Sequence, residues 1–131
     1  MLNNHMSVFS RVPGSRDYLS PRQRYITPMA GTILLHPDGS PWAAFGSPGG
    51  GTIPSTVFQI VTNLVDFKMS LRDAFEYPRI HYDLSSTQIE AEPGAIVDDV
   101  AKNLQAMGYK LNPKLRSQGD VNAIMIEPET G

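Results

Sequence analysis

Apolar residues recur with a helical period in one long stretch of the chain, from Ile53 to Phe67. The residues at this spacing are Ile53, Val57, Ile60, Val61, Leu64 and Val65. Such a pattern places them on one face of an α-helix. Phe58 widens this face, so we expect the helix to be buried on most sides. Thr52 is its predicted N-cap, and Pro54 falls in the first turn, where its missing N–H costs no hydrogen bond.

Two shorter apolar runs precede this helix and predict a β-hairpin. They extend from Gly31 to Leu35 and from Trp42 to Phe45, and Asp38-Gly39 between them is a strong turn signal. We therefore expect two antiparallel strands.

Short helices and strands alternate in the second half of the chain. Ser70 and Asp73 form a capping-box pattern that begins a short helix, which Pro78 ends. A second amphipathic helix is predicted over residues 97–107, with Gly108 as its stop. Its expected inward positions are Val97, Val100, Ala101 and Leu104. Strands are predicted over residues 88–91, 109–111 and 121–126.

Composition favours a soluble globular chain forming a single domain over residues 1–131. Hydrophobic residues make up 40% of the chain and charged residues 18%, with a net charge of −2. This charge provides no basic field for nucleic acid, and no apolar run is long enough to span a bilayer. Cysteine is absent, and His5, His36 and His81 are too scattered in sequence to predict a metal site. We expect no cofactor, nucleic-acid partner or membrane partner; the residues leave the compartment open.

The clearest candidate for chemistry is the loop Gly46-Ser47-Pro48-Gly49-Gly50-Gly51, which leads directly into the long helix. Unpaired N–H groups at a helix start bind phosphate, carboxylate or the oxyanion of an acyl-transfer intermediate. Taken alone, the same residues favour a simple strand-to-helix turn, because glycine tolerates the dihedral angles of tight loops.

Six short motifs, taken in order, resemble the γ-glutamyltranspeptidase family of N-terminal-nucleophile hydrolases. They are Leu2-Asn3-Asn4-His5-Met6, Thr27-Pro28-Met29-Ala30-Gly31-Thr32-Ile33, Gly46-Ser47-Pro48-Gly49-Gly50, Ala74 to Pro78-Arg79-Ile80-His81, Glu92-Pro93-Gly94 and Pro128-Glu129-Thr130-Gly131. The resemblance covers essentially the whole chain. Its most diagnostic parts are the glycine loop and the block from Pro78 to His81.

This resemblance implies an α/β (α+β) fold: part of an αββα sandwich, with mainly antiparallel strands and three helices. In the family, a precursor cuts itself into a large and a small subunit, and the new N-terminal threonine is the nucleophile. The chain resembles the C-terminal part of the small subunit, so we expect the threonine to lie upstream of Met1. We therefore expect the chain to be inactive alone.

Site residues are carried over from the same resemblance. It places Gly49 and Gly50 at the oxyanion hole, and Ser47, which precedes them in the same motif, is a predicted substrate-binding residue. Arg24 matches a basic residue of the family; an anion clamp and a surface ion pair are both open. The family's remaining substrate-binding motifs fall on Asn4, His5 and Thr27. Without the resemblance, the pair Asn3-Asn4 favours hydrogen bonding to backbone in a turn.

Two departures from the family pattern concern the glutamyl group. Thr27 and Pro28 stand where transpeptidases have a serine pair for the α-carboxylate, and His5 and Val8 stand where a glutamine and an acidic residue hold the α-amine. Proline has neither a hydroxyl nor an N–H, and valine cannot pair with an ammonium group. The departures point to a branch of amidases that take other acyl groups, such as cephalosporin acylases.

Two kinds of function follow. The first is a C-terminal fragment of an amide hydrolase or acyltransferase, whose partners are the large subunit or the remaining precursor and a γ-glutamyl or other acyl-amide small molecule. The resemblance also suggests a periplasmic or secreted location. The second is a non-catalytic association or anion-binding module. In either case, uncovered sheet edges and apolar faces predict a homo-oligomer.

Overall fold

A computed structural model of the protein describes residues 5–82, 88–113 and 118–127. The helices within these ranges are α1 (Ile53–Val65), α2 (Leu71–Glu76) and α3 (Asp98–Ala106). The strands are β1 (Thr32–Leu35), β2 (Pro41–Gly46), β3 (Ile80–Tyr82), β4 (Gln88–Ala91), β5 (Lys110–Pro113) and β6 (Asn122–Met125). Short 3-10 turns cover His5–Val8 and Gly50–Thr52. This confirms the predicted α+β class with mainly antiparallel strands and three helices.

The first sheet has the order β1-β2-β6 and is antiparallel throughout. Its hairpin closes at Asp38-Gly39 as predicted, and Gly39 has a φ of +86°. The Ser40 hydroxyl and N–H both donate to Asp38 Oδ1, over 2.6 and 2.9 Å. These two bonds lower the pKa of the Asp38 carboxyl, because they favour its ionised form.

The second sheet has the order β3-β4-β5. Strand β4 pairs antiparallel with β3 and parallel with β5. Strand β4 has the predicted bounds, and β5 and β6 lie within two residues of theirs. Strand β3 was not predicted, because three residues of mixed polarity give too short a pattern.

Helix α1 contributes most of the core through one face only. Ile53, Val57, Ile60 and Leu64 are buried against Ala43 and Phe45 of β2 and against Ala74 of α2. The expectation that α1 is buried on most sides is wrong, since Phe58 is 69% exposed. Among the described residues, those that pack against α1 lie on its Ile60 side, and Phe58 lies on the opposite side of the helix.

Helix α3 begins and ends close to the predicted positions, with Gly108 following it at a φ of +94°. The predicted inward face of α3, however, is not buried. None of the residues of α3 is buried, and Val97 at its N-cap is 61% exposed. The outward face of the first sheet is also apolar and exposed, at Ile33 (69%) and Ile124 (73%). Apolar residues are therefore exposed both on the first sheet and beside α3, which contacts β5 of the second sheet.

The two predicted N-caps, Ser70 and Thr52, differ in the structure. At α2, Asp73 N donates to Ser70 Oγ over 3.1 Å, which is the predicted cap. At α1, Thr52 is the N-cap residue but its side chain does not cap the helix.

Among the described residues, no helix has the length and apolar character needed to cross a membrane.

Candidate functional site

The glycine loop joins the end of β2 to the start of α1, as the sequence predicts. Gly49 has a φ of +144° and Gly50 a φ of +60°, and the 3-10 turn Gly50–Thr52 then passes into the helix. Residues that carry a side chain rarely adopt φ angles in this range, so the backbone conformation requires glycine here. A Cβ on Gly49 would also lie 2.6 Å from Thr52 Oγ1, whereas one on Gly51 would meet nothing within 4 Å.

Three carbonyl groups of this loop accept hydrogen bonds from neighbouring residues. Gly49 O accepts from Thr52 N (3.3 Å) and from Thr52 Oγ1 (3.1 Å). Pro48 O accepts from Ser47 Oγ over 2.7 Å, and Gly50 O accepts from Ile53 N. A trans peptide places its C=O and the following N–H on opposite sides. The N–H groups that follow these three carbonyls therefore point away from their hydrogen-bond partners.

Those three N–H groups belong to Gly49, Gly50 and Gly51. Among the described residues, none of them donates a backbone–backbone hydrogen bond. The three glycines are exposed, and they directly precede the N-terminus of a 13-residue helix, where the dipole favours negative charge. Chemically, the loop can donate to an external anion.

Gly119 supports the loop from behind. A Cβ on Gly119 would clash with Ser47 Oγ and approach Pro48 O to 3.0 Å, and its own φ is +93°. The segment before β6 therefore packs directly against the loop, and only glycine fits there.

A buried polar network anchors this segment. Arg79 and Glu92 are 6% and 8% exposed, and Arg79 Nε lies 3.5 Å from Glu92 Oε1. Arg79 N donates to Glu92 Oε2 over 2.7 Å. Gln118 N donates to the same carboxylate, and Thr56 Oγ1 donates to Gln118 O over 3.0 Å. The network therefore connects the second sheet, the segment before β6 and the first turns of α1.

Sequence reasoning found only part of this network. Arg79 was part of the block from Pro78 to His81, and its Nη1 also donates to Phe75 O, in the last turn of α2, over 3.0 Å. Glu92 was visible only as part of a motif, and Gln118 and Thr56 were missed. The available signal was the opposite charge of Arg79 and Glu92 at the borders of two short strands.

His81, the last residue of the same sequence block, contacts the start of α1. Its Nδ1 lies 2.8 Å from Ser55 Oγ in the first turn of this helix. Strand β3 is held there by Gln59, whose Oε1 accepts from Ile80 N (3.0 Å) and whose Nε2 donates to Ile80 O (2.8 Å).

Three of the predicted substrate-binding residues, His5, Arg24 and Thr27, lie in the N-terminal part of the chain, whereas Ser47 lies in the glycine loop. His5 stacks on Tyr25, with ring centroids 4.7 Å apart, so it lies beside the segment that holds Arg24 and Thr27. Both of the latter are exposed, and Thr27 Oγ1 accepts from Met29 N over 3.3 Å. In the described part of the chain, no ion pair involves Arg24 and no hydrogen bond or ring contact joins this group to the glycine loop. Asn4 lies outside the described residues.

The sequence profile of gamma-glutamyltranspeptidase matches residues 1–130, which is nearly the whole chain. The chain belongs to the gamma-glutamyltranspeptidase family. It is 36% identical over 131 residues to the glutathione hydrolase proenzyme of Bacillus subtilis (strain 168), covering all of this chain and 22% of that protein. It is also 35% identical over 127 residues to the acylase ACY 1 proenzyme of Pseudomonas sp. (strain SE83), covering 97% and 22%.

A solved member of the gamma-glutamyltranspeptidase family has the same fold. The crystal structure of a mutant gamma-glutamyltranspeptidase of Helicobacter pylori superposes with a TM-score of 0.86 at 33% identity, covering 99% of this chain and 74% of that one. The chain spans about a fifth of the length of the curated relatives named above. It therefore corresponds to one region of gamma-glutamyltranspeptidase-like proenzymes, which include both glutathione hydrolases and an acylase.

Proposed function

We propose that this chain is the C-terminal part of a gamma-glutamyltranspeptidase-like amide hydrolase or acyltransferase, in which Gly49 and Gly50 form the oxyanion hole. The nucleophilic threonine would lie upstream of Met1. It would attack an amide carbonyl, and the loop N–H groups would donate to the oxyanion that forms. Water or an amine would then accept the acyl group.

The observation that carries this proposal is the arrangement of the loop peptides. Three successive carbonyls are held by Ser47, Thr52 and Ile53, and the N–H groups that follow them have no backbone acceptor among the described residues. Fixed donors of this kind stabilise charge without reorganising during the reaction. Gly119 and the network around Glu92 support the same loop.

The proposed partners are the remaining part of the precursor and an acyl-amide substrate. Uncovered apolar residues on the first sheet, Ile33 and Ile124, provide a surface for the precursor to cover. Of the predicted binding residues, His5, Arg24 and Thr27 are proposed to contact the acyl group, and Asn4 is proposed from sequence alone. Ser47 is proposed to accept a hydrogen bond from it, because its own hydroxyl donates to Pro48 O. Val8 provides no charge for an α-ammonium, so the proposal favours acyl groups that lack one.

A chimera tests this proposal. The segment of the Bacillus subtilis relative that aligns with this chain is replaced by residues 1–131, and hydrolysis of γ-glutamyl-p-nitroanilide and glutaryl-p-nitroanilide is measured. We expect Gly49→Ala to lower kcat by roughly tenfold or more, since strain of about 1.4 kcal/mol at the loop is enough for that factor. The glutaryl substrate, which lacks the α-amine, should retain more activity than in the unaltered relative.

Gly51→Ala is the matched control, because its Cβ meets nothing within 4 Å and its φ is not positive. It should leave kcat within about twofold of the chimera, a change of roughly 0.4 kcal/mol. Equal losses in the two variants, with both chimeras folded, would contradict a specific role for Gly49. Turnover by the purified chain alone would contradict the upstream position of the nucleophile.

A second candidate is a non-catalytic association module, favoured by the exposed Ile33 and Ile124 on one sheet face. We expect the purified chain to sediment as a dimer or larger assembly, because exposed apolar faces and sheet edges associate. Ile124→Lys should shift it toward monomer, whereas Met107→Lys, at a 74% exposed position after α3, should not. A monomer at all concentrations in analytical ultracentrifugation would contradict this candidate.

A further inference from the structure

His81 and Ser55 meet where strand β3 faces the first turn of α1. Ser55 Oγ lies 2.8 Å from His81 Nδ1 and 2.9 Å from Thr52 O. A carbonyl oxygen only accepts, so both contacts are hydrogen bonds only when the single hydroxyl proton of Ser55 goes to Thr52 O. His81 Nδ1 must then carry a proton and donate it to Ser55 Oγ. The hydrogen-bond network therefore assigns His81 the Nδ1–H tautomer, with the lone pair on Nε2.

This tautomer argues against Ser55 as a nucleophile. In a catalytic serine–histidine pair the imidazole accepts the hydroxyl proton, whereas here the imidazole donates to the hydroxyl oxygen. The pair is better suited to orienting its neighbours.

His81 is held in place by the strand that carries it. Gln59, one turn further along α1, bonds both the N–H and the carbonyl of Ile80, over 3.0 and 2.8 Å. The backbone next to His81 is thus fixed relative to the helix that carries Ser55. The imidazole is half-buried, and the hydrogen bond between its Nδ1 and Ser55 Oγ connects β3 to the first turn of α1.

From Ser55 the contacts continue into the glycine loop. Ser55 Oγ donates to Thr52 O, and the N–H and hydroxyl of Thr52 both donate to Gly49 O, over 3.3 and 3.1 Å. Because the Gly49–Gly50 peptide is planar, fixing Gly49 O also fixes the direction of the Gly50 N–H. The contacts from His81 to Ser55, Thr52 and Gly49 are called the loop relay below.

We propose that His81 is a positioning residue for the glycine loop. Through Ser55 and Thr52 it holds the Gly49 carbonyl toward the helix and so keeps the Gly50 N–H turned outward, toward an incoming oxyanion. The role assigned to the Gly50 N–H rests on the function proposed above, but the loop relay itself is a property of the free chain and is measurable without catalysis.

The test is NMR of the 131-residue chain in alkaline buffer, where imidazole is neutral. A long-range ¹H–¹⁵N spectrum should show His81 with a protonated Nδ1 and an unprotonated Nε2. In Ser55→Ala, the ratio of the Nδ1–H to the Nε2–H tautomer should fall roughly fivefold, the factor that one ordinary hydrogen bond supplies. The Gly49 carbonyl ¹³C and Gly50 amide ¹⁵N resonances should shift in both Ser55→Ala and His81→Ala.

Two further variants separate the loop relay from general loosening of the helix. Ser55→Thr keeps a hydroxyl that can bond the carbonyl one turn back, so it should restore the tautomer and both glycine resonances. Thr62→Val removes the equivalent hydroxyl bond of α1, from Thr62 Oγ1 to Phe58 O, and should leave Gly50 unchanged. The double variant Ser55→Ala/His81→Ala should shift Gly50 no further than either single change.

The proposal is overturned if His81 carries its proton on Nε2 in the unaltered chain. It is also overturned if Gly50 is unmoved in folded Ser55→Ala and His81→Ala, or moves equally in Thr62→Val. None of these results depends on turnover, so they are distinguishable from failure of the chimera assay, which tests the oxyanion role of the loop.

Discussion

Glu92→Gln is expected to lower the free energy of unfolding by roughly 3–5 kcal/mol. The substitution keeps the size of the side chain but removes the charge that faces Arg79, and both residues are less than a tenth exposed. Removing a carboxylate that pairs with a buried guanidinium is costly, because solvent cannot replace that carboxylate. Urea unfolding of the chain, followed by Trp42 fluorescence and circular dichroism, measures the change.

A second ion pair provides the matched control for this prediction. Arg72 and Glu76 pair over 3.0 Å on the surface of α2, with side chains 82% and 64% exposed. Glu76→Gln should cost at most about 0.5 kcal/mol, since water screens such pairs. The double variant Arg79→Met/Glu92→Gln should lose less than Glu92→Gln alone. Equal losses for Glu76→Gln and Glu92→Gln would contradict a structural role for the buried pair.

Ile60→Ala is expected to cost roughly 2–5 kcal/mol of unfolding free energy. Ile60 is 0% exposed at the centre of the core formed by α1, β2 and α2, so truncation removes buried methylene groups and leaves a cavity. The same urea experiment measures this loss.

Phe58→Ala, two residues earlier on the same helix, is the control. Phe58 is 69% exposed, and its truncation should change stability by no more than about 0.5 kcal/mol. A loss as large as that of Ile60→Ala would show that α1 is covered on both sides in solution, which would contradict the one-sided burial described above.

Local patterns in the sequence were sufficient for most of the fold. The helical spacing from Ile53 onward, the Asp38-Gly39 turn and the Ser70 cap each depend on residues within one or two turns of each other. Elements of this kind are predictable because their hydrogen bonds close over short distances in the chain. Strand β3 was missed because Ile80–Tyr82 has no pattern of its own and exists through its pairing with β4.

Burial was harder to predict than secondary structure. Phe58 and Val97 were expected to be covered, yet they are 69% and 61% exposed. Amphipathicity identifies which face of a helix favours apolar contact, but not whether this chain supplies the surface that covers it.

The candidate site was also predictable only in part. The glycine loop was predictable, because six consecutive residues carry its backbone geometry. The supporting contacts were not, because Glu92, Gln118 and Thr56 meet only after both sheets have formed. Their polarity gave no periodic signal, and the position of each depends on strands distant in sequence.

Strand β2 is the centre of the first sheet, with one neighbour immediately before it in sequence and the other, β6, near the far end of the chain. On the ribosome, the hairpin of β1 and β2 emerges well before β6, because the chain between Gly46 and Asn122 is translated in the interval. Pairings between such distant segments are slow to form, and open strands meanwhile invite wrong partners. We therefore expect the nascent chain to depend on chaperone protection until β6 has emerged.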